Sequence, residues 1–181
     1  TLQSLGHEVK IIAPQFVKPY VMANKNDKND ARGIAEAVTR PEMKFVAVKT
    51  AVQQDVLMVH RIRELLVKQR TAQANQIRGL LNEYGIILPQ GIRQVRQLME
   101  RLDDHQAHLS SMAYALFVRL YEQFKAIDNE IGFYDQEIKA QAMSNPLCCE
   151  VMKIEGIGPM TASAIVASIG APNVFKNGRE V

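Results

Sequence analysis

The stretch AHLSSMAYALFVRLYEQFKAIDNEIGFYDQEIKAQA, residues 107–142, decides the fold. Its apolar residues recur every three or four positions, interrupted only at Gly132, which is typical of a long amphipathic helix. They are Leu109, Met112, Leu116, Leu120, Phe124, Ile127, Ile131, Tyr134 and Ile138. A similar run over residues 52–84 predicts a second long helix that ends at Gly85 and Pro89. The economical arrangement is an antiparallel helical hairpin or coiled coil within residues 50–145.

Two details qualify this helical region. The first long run is weakest in its middle, because Gln69, Gln73 and Gln76 stand where a seam would carry apolar residues. A shorter helix is expected from Ile92 to about Leu102, between the two long ones. We therefore expect the hairpin to be connected by a short helix rather than by a simple loop.

The N-terminal region, residues 1–49, has a different pattern. Residues 8–13 alternate and stop at a proline, which favours a short strand, and residues 45–48 (FVAV) favour a second extended run. Between them, a short amphipathic helix is predicted from Asp30, closed by Pro41. Its apolar face is expected to hold Ala31, Ile34, Ala35 and Val38. The chain is therefore predicted to be mainly α with a small α/β part.

Composition excludes several classes of protein. The chain has 181 residues, 47% of them hydrophobic, and a formal net charge of +3, which excludes intrinsic disorder. The longest apolar-rich run, residues 160–171, is too short for a membrane span, so we expect no membrane partner. The adjacent Cys148 and Cys149 form no disulfide framework and fit a reducing cytoplasm. Thr1 at the start and Val181 at the end suggest an internal fragment of a longer protein.

The first candidate site is the acidic pair Asp27 and Asp30. On a helix, a spacing of three places both carboxylates on one face, with Cβ atoms about 5–6 Å apart. Such a pair suits a hard divalent cation such as Mg²⁺. The alternative is that each aspartate is an ordinary residue of a helix start, favoured as a cap and by the helix dipole. Spacing alone favours that alternative.

The second candidate site is the glycine-rich stretch KIEGIGP, residues 153–159, followed by a helix of small residues. It has the form of a helix-hairpin-helix, in which a Gly-x-Gly turn lets backbone N–H groups approach a nucleic-acid phosphate. The alternative is a helix connection without a ligand. Candidate phosphate contacts are Lys153, Gly156, Gly158 and Thr161 in this unit, and Lys25, Lys28 and Arg32 around the acidic pair.

Charge and the remaining polar clusters add little. Residues 1–90 hold 13 Lys and Arg against 8 Asp and Glu, which is compatible with a nucleic-acid partner without requiring one. His105 and His108, beside Asp103 and Asp104, fit a solvated helix start better than a metal cluster. These features alone leave the function open.

Six segments together resemble one known family. They are LGHEVKIIAPQFVKPYV (residues 5–21), KNDKNDARGIAEAVTRP (25–41), FVAVKT (45–50), IRGLLNEYGI (77–86), IEGIGPMTASAIVASIG (154–170) and FKNGREV (175–181). In this order they resemble the DEDD-type transposases of the insertion-sequence one-ten group, most closely its eleven-eleven branch. The resemblance covers essentially the whole chain, and the segment around Asp27 and Asp30 is its most specific part.

The resemblance implies a three-part organisation. Residues 1–49 would be the C-terminal part of a RuvC-like, RNase H-fold DEDD domain, residues 50–145 a helical coiled-coil region, and residues 146–181 the start of the C-terminal transposase domain. Asp27 and Asp30 would be the last two acids of a catalytic, Mg²⁺-binding tetrad. The first Asp and the Glu would precede Thr1, and a nucleophilic serine would follow Val181. This fragment alone is therefore expected to be inactive.

The same resemblance implies the partners. They are DNA, a noncoding RNA that bridges donor and target DNA in this family, and further copies of the chain bound through the helical region. The expected location is the bacterial cytoplasm, at the nucleoid. Two other classes stay open on the residues alone: a non-catalytic nucleic-acid-binding helical module and a coiled-coil interaction protein. An upstream Asp and Glu on strands, with a downstream serine, would select the transposase.

Overall fold

A computed structural model describes residues 2–21 and 26–169. The protein is mainly helical with one small sheet, as the sequence predicts. The helices are α1 Pro14–Val17, α2 Asp27–Val38, α3 Ala51–Glu83, α4 Ile92–Met99, α5 Ser111–Ser144, α6 Pro146–Val151 and α7 Pro159–Ile169, and the strands are β1 Ile11–Ile12 and β2 Phe45–Val46. Single turns of 3-10 helix cover Gln3–Leu5 and Lys18–Tyr20, and a longer one covers Leu102–His108. Of the described residues, 2–53 and Ile169 form one compact unit and 54–168 form the other.

The first unit contains the sheet. Strands β1 and β2 pair antiparallel, with Ile11 opposite Val46 and Ile12 opposite Phe45. Both predicted extended runs are confirmed, but each is only two residues long. Two such short strands bury little surface, so the sheet does not stand alone.

Helix α2 begins three residues before the predicted start, and its buried face is different from the predicted one. Ile34 and Val38 are exposed, and so are the two alanines assigned to the same face. The buried residues are Gly33 and Ala37. The prediction of the face was wrong because it followed side-chain apolarity, whereas this contact is a close approach of backbone made possible by small residues.

The second unit is built on α3 and α5, which are 33 and 34 residues long. They run antiparallel, because residues later in α3 contact residues earlier in α5. Arg63 pairs with Asp135, Gln73 Nε2 donates to the Leu120 carbonyl at 2.9 Å, and the Tyr84 ring lies 6.0 Å from that of Phe117. The predicted antiparallel hairpin is confirmed. Gln73, one of the weak seam residues, is used to bind the neighbouring helix.

Helix α3 ends where the glycine and proline predict. Gly85 has φ +76°, a left-handed conformation that glycine adopts without strain. The Gly85 N–H donates to the Asn82 carbonyl at 3.0 Å, and the Ile86 N–H donates to that of Leu81 at 3.1 Å. These two bonds form a Schellman cap, and the buried Ile86 and Leu81 supply its usual apolar contact.

The main core lies at the closed end of the hairpin, where α3, α4 and α5 meet. Ile77 and Leu81 of α3, Val95 of α4 and Phe124 of α5 are fully buried there. The predicted connecting helix is confirmed as α4, although it ends at Met99. A carboxylate also joins the three helices, because Asp128 accepts from Arg70 at 2.7 Å and from Arg96.

The chain after α5 folds back into a short two-helix unit. Asn145 caps α6 by accepting from the Leu147 N–H at 2.9 Å, with Pro146 at the first helical position. Helices α6 and α7 are separated by residues 152–158. Ala142 of α5, Cys148 of α6 and Ala162 of α7 form a small second core. This places the glycine-rich turn at the open end of the hairpin.

Candidate functional site

The acidic pair lies in the first turn of α2. The cap of this helix is Asn26, whose Oδ1 accepts the backbone N–H of Asn29 at 2.8 Å. Asp27 and Asp30 follow the cap at the first and fourth helical positions. Neither aspartate is therefore needed as the N-cap. The alternative explanation for the pair is reduced to the weaker interaction of two carboxylates with the helix dipole.

The environment of the two carboxylates leaves them available. Asp27 is exposed and Asp30 is half-buried. Within the described residues, neither carboxylate takes part in an ion pair or accepts a side-chain hydrogen bond. Oxygen ligands of this kind fit a hard divalent cation. The described part of the chain holds no cluster of three or more His, Cys, Asp or Glu able to bind a metal.

Gly33 fixes how α2 packs. A Cβ added at Gly33 would lie 2.7 Å from Val21 Cγ2 and 3.3 Å from the Val21 backbone nitrogen. Residue 33 is one helical turn after Asp30 and on the same face. The close approach of Gly33 to Val21 therefore also places the helical turn that carries Asp30. The sequence pattern gave no indication of this contact.

Of the three basic residues predicted to flank Asp27 and Asp30, the structure describes Lys28 and Arg32. Lys25 lies outside the described residues. Lys28 and Arg32 are both exposed and lie four residues apart on α2, so their side chains project from one side of the helix. At about 3.6 residues per turn, this side is nearly opposite the side that carries Asp27 and Asp30, so the structure does not bring the basic and acidic pairs together.

The glycine-rich turn is exposed and contains one glycine in a left-handed conformation. Gly156 has φ +86°, and both Gly156 and Gly158 are exposed with no atom within 4 Å of an added Cβ. The backbone is therefore open to a ligand at both glycines. Lys153 is exposed and pairs with Glu150 at 2.7 Å, an ion pair of surface type that a phosphate can displace at little cost.

The start of α7 faces the same turn. Pro159 occupies the first helical position, and the first backbone bond of the helix runs from the Ala162 N–H to the Gly158 carbonyl at 2.9 Å. The N–H groups of Met160 and Thr161 precede that bond and belong to the unpaired donors of a helix start. Thr161 is exposed. Such a start attracts anions through its free donors and its dipole.

One buried polar contact was missed by sequence reasoning. His60 Nε2 and Ser163 Oγ lie 2.9 Å apart, joining α3 to α7 across 103 residues of sequence. Ser163 also donates to the Met160 carbonyl at 3.1 Å. Burial is the main cause of a lowered pKa for His60, and the nearby Arg63 charge adds to it. No local spacing could have revealed this pair.

The other polar candidates stay without a ligand role. His105 and His108 lie in the 3-10 turn before α5, and Asp103 accepts from the Tyr114 hydroxyl. Cys148 is buried among apolar side chains, which raises the pKa of its thiol. Within residues 2–21 and 26–169, no helix combines the length and apolarity that crossing a bilayer requires.

Two sequence families match the chain. A DEDD transposase family of the IS110 group, described as transposase, matches residues 1–86, and the transposase IS116/IS110/IS902 family matches residues 148–181. Both ends of the chain are therefore similar to transposases of the IS110 group. The first match includes the acidic pair and the second includes the glycine-rich turn.

Named relatives agree with the family. The chain is 41% identical over its full length to the transposase for insertion sequence element IS1111A of Coxiella burnetii, covering 50% of that protein. It is 40% identical over 99% of its length to a probable family 20 transposase of Pseudomonas aeruginosa, covering 54% of it. The transposase for insertion sequence element IS1328 of Yersinia enterocolitica is 35% identical over 99% of this chain, which covers 53% of that protein.

The chain thus spans about half the length of the curated relatives that it matches. No solved structure matches it.

Proposed function

We propose that this chain is part of a DNA transposase in which Asp27 and Asp30 provide two carboxylate ligands to a catalytic divalent cation, Mg²⁺. The observation that carries this proposal is the start of α2. Asn26 already caps the helix, yet two further carboxylates follow in its first turn without ion-pair partners among the described residues. Like charges at this spacing repel, and a cation bound by both carboxylates would remove that repulsion.

The residues around the pair have distinct roles in this proposal. The cation, when bound, supplies stabilisation of the charge that develops on a phosphate during strand cleavage and exchange. Asp27 and Asp30 hold it, and the contact of Gly33 with Val21 holds α2 in place beneath Asp30. Lys28 and Arg32 are exposed on the other side of α2 and would attract the DNA backbone there.

The chain organisation follows the family. Residues 1–49 would complete a RuvC-like domain, residues 50–145 form the helical spacer, and residues 146–181 begin the C-terminal transposase domain. The remaining acids of the tetrad and the nucleophilic serine would belong to parts of the longer protein outside this chain. The half-length coverage of the relatives supports this division.

The turn between α6 and α7 would bind nucleic acid as a helix-hairpin-helix. Its support is the open backbone at Gly156 and Gly158, followed by the free donors of Met160 and Thr161. Phosphate contacts of this kind position a protein on nucleic acid without reading its sequence. Sequence choice would then come from the bridging RNA of the family or from segments beyond this chain, and the bacterial nucleoid is the proposed location.

The test of the metal proposal is Asp27→Asn and Asp30→Asn in the full-length parent protein. Each should abolish Mg²⁺-dependent recombination, because an amide is a poor ligand for a hard cation. Loss of the dipole interaction should cost only about 0.3–1 kcal/mol of stability. Glu36→Gln is the matched control, since it removes the same charge from α2 at an exposed carboxylate paired with Arg40. Near-normal recombination by both aspartate variants would refute the metal role.

The turn is tested separately with Gly158→Glu in the 181-residue chain. The open space around Gly158 allows the fold to persist, while the new carboxylate occupies the place of a phosphate. We expect binding to a short DNA duplex, measured by fluorescence anisotropy, to weaken about tenfold. Gly79→Glu is the control, because Gly79 is exposed, lies on α3 and is equally open. Equal effects of the two changes would refute a specific role of the turn.

Self-association is proposed through an exposed face of α3. Three apolar residues of this face, Met58, Ile62 and Leu65, repeat at a heptad spacing, and 56% of Leu65 is exposed. The same spacing continues through Gln69, Ala72 and Gln76, all exposed. A second copy of the chain would cover such a stripe. The glutamines make this a weak interface, suited to assembly on DNA.

A further inference from the structure

The bond between His60 and Ser163 has a defined direction. Ser163 is 3% exposed and is the buried polar residue of the described chain. Its single hydroxyl hydrogen is used by the Met160 carbonyl, which can only accept. With that hydrogen on the Met160 carbonyl, the Ser163 oxygen accepts from His60, which assigns the Nε2–H tautomer to His60. The neutral state of the ring fits this tautomer, since burial and Arg63 lower the pKa of His60.

This bond is placed where it can set the orientation of α7. The other contacts of α7 in the second core are apolar, made by Ala162 against Ala142 and Cys148 and by the partly buried Val166. Apolar contacts are non-directional, whereas a hydrogen bond constrains an angle as well as a distance. The hydrogen bond from α3 ends on Ser163, and through it on Met160 in the first turn of α7. That turn carries the free N–H donors of the helix start.

We propose that His60 is a positioning residue for nucleic-acid binding: its bond to Ser163 fixes the rotation of α7 and so aims the turn of residues 152–158 and the free donors of Met160 and Thr161. This inference rests on the proposed phosphate-binding role of the turn. Hydrogen-bond donors act on a phosphate only when they are correctly directed. The long hairpin thereby holds the turn in one orientation, although His60 itself does not touch the ligand.

The experiment compares four variants of the 181-residue chain, His60→Leu, His60→Gln, Ser163→Ala and the His60→Leu/Ser163→Ala double variant, by anisotropy with a fluorescein-labelled 20-base-pair duplex. His60→Leu removes the donor and should weaken binding about three- to tenfold. His60→Gln keeps an N–H donor at similar reach and should restore binding to within twofold. Ser163→Ala should match His60→Leu, and the double variant should be no weaker than either, because all three break the same bond.

Two controls make the result decisive. Helical content by circular dichroism should be unchanged, and the slope of log affinity against log salt concentration should stay the same, because no Lys or Arg is removed. If His60→Leu and Ser163→Ala bind normally while Gly158→Glu does not, the positioning role is wrong and the turn still binds nucleic acid. If Gly158→Glu also binds normally, both proposals fail. Failure of His60→Gln to restore binding would likewise overturn the positioning role.

Discussion

Replacing Gly33 by alanine should loosen α2, contrary to the usual effect of this substitution in a helix. Glycine to alanine in a helix interior normally stabilises by about 1 kcal/mol. Here the new methyl would lie 2.7 Å from Val21 Cγ2, about 1 Å closer than carbon atoms at their optimal separation. The Val21 backbone nitrogen at 3.3 Å and the Tyr20 carbonyl carbon at 3.4 Å prevent relief by side-chain rotation alone.

The size of the effect follows from these two opposing contributions. Overpacking of this kind costs about 1–3 kcal/mol. After subtraction of the helix propensity, we expect the opening of α2 to become easier by about 1 kcal/mol, which is about a fivefold change in equilibrium. Hydrogen–deuterium exchange of peptides from residues 26–38 measures this directly and separates the first unit from the second.

Matched controls are present in the same chain. Gly79 on α3 and Gly132 on α5 have no atom within 4 Å of an added Cβ. Alanine at either position should slow exchange locally, with about 0.5–1 kcal/mol of added stability. Val21→Ala combined with Gly33→Ala should remove the 2.7 Å contact and recover part of the lost stability, because only the backbone contacts at 3.3 Å and 3.4 Å would be left. Slower exchange in α2 of the single Gly33→Ala variant would refute the argument from close packing.

Three further outcomes are expected. The pKa of His60 is lower in the folded state than the value near 6.5 in the unfolded state, so the neutral ring contributes its full stability above that value. This contribution is lost as pH falls through the folded pKa. The melting temperature should therefore fall on the acid side, and His60→Gln should reduce that fall. Leu65→Asp should shift any self-association measured by sedimentation to higher concentration, whereas Met112→Asp, an exposed apolar site on another helix, should not. Cys149 should react with iodoacetamide faster than Cys148, whose thiol pKa is raised by burial, as read by peptide mass spectrometry.

The helical hairpin could be predicted because its signal is repeated many times. Nine apolar positions over residues 109–138 recur at helical spacing, so the helix is predicted despite Gly132, although Met112 and Leu116 of this set are exposed and Phe117 is buried instead. The stop at Gly85 was also readable, since a left-handed glycine ends a helix by a local mechanism. A long helix can therefore be predicted from its own sequence when that sequence contains both the apolar period and the residues that end the helix.

The start and the buried face of α2 could not be read in the same way. Asn26, Asp27, Asn29 and Asp30 are all residues that cap helices well, and spacing cannot choose among them. Gly33 lies on the buried face, and because glycine has no side chain, the hydrophobic pattern does not reveal this face. The metal role of the acidic pair is predicted by the family resemblance, since spacing alone favours ordinary helix-start residues, and only the structure shows that Asn26 rather than either aspartate is the N-cap.

The antiparallel course of α3 and α5 has a consequence for how the family can vary. Helices α3 and α5 are each about 50 Å long at 1.5 Å per residue. Because they are antiparallel, the chain after α5 returns to the level of His60, which is hydrogen-bonded to Ser163 of α7. Seven residues added to both arms would lengthen the excursion by about 10 Å and preserve the facing positions. The distance from His60 to the closed end of the hairpin can therefore change in evolution, while the bond of His60 to α7 and the glycine-rich turn keep their geometry.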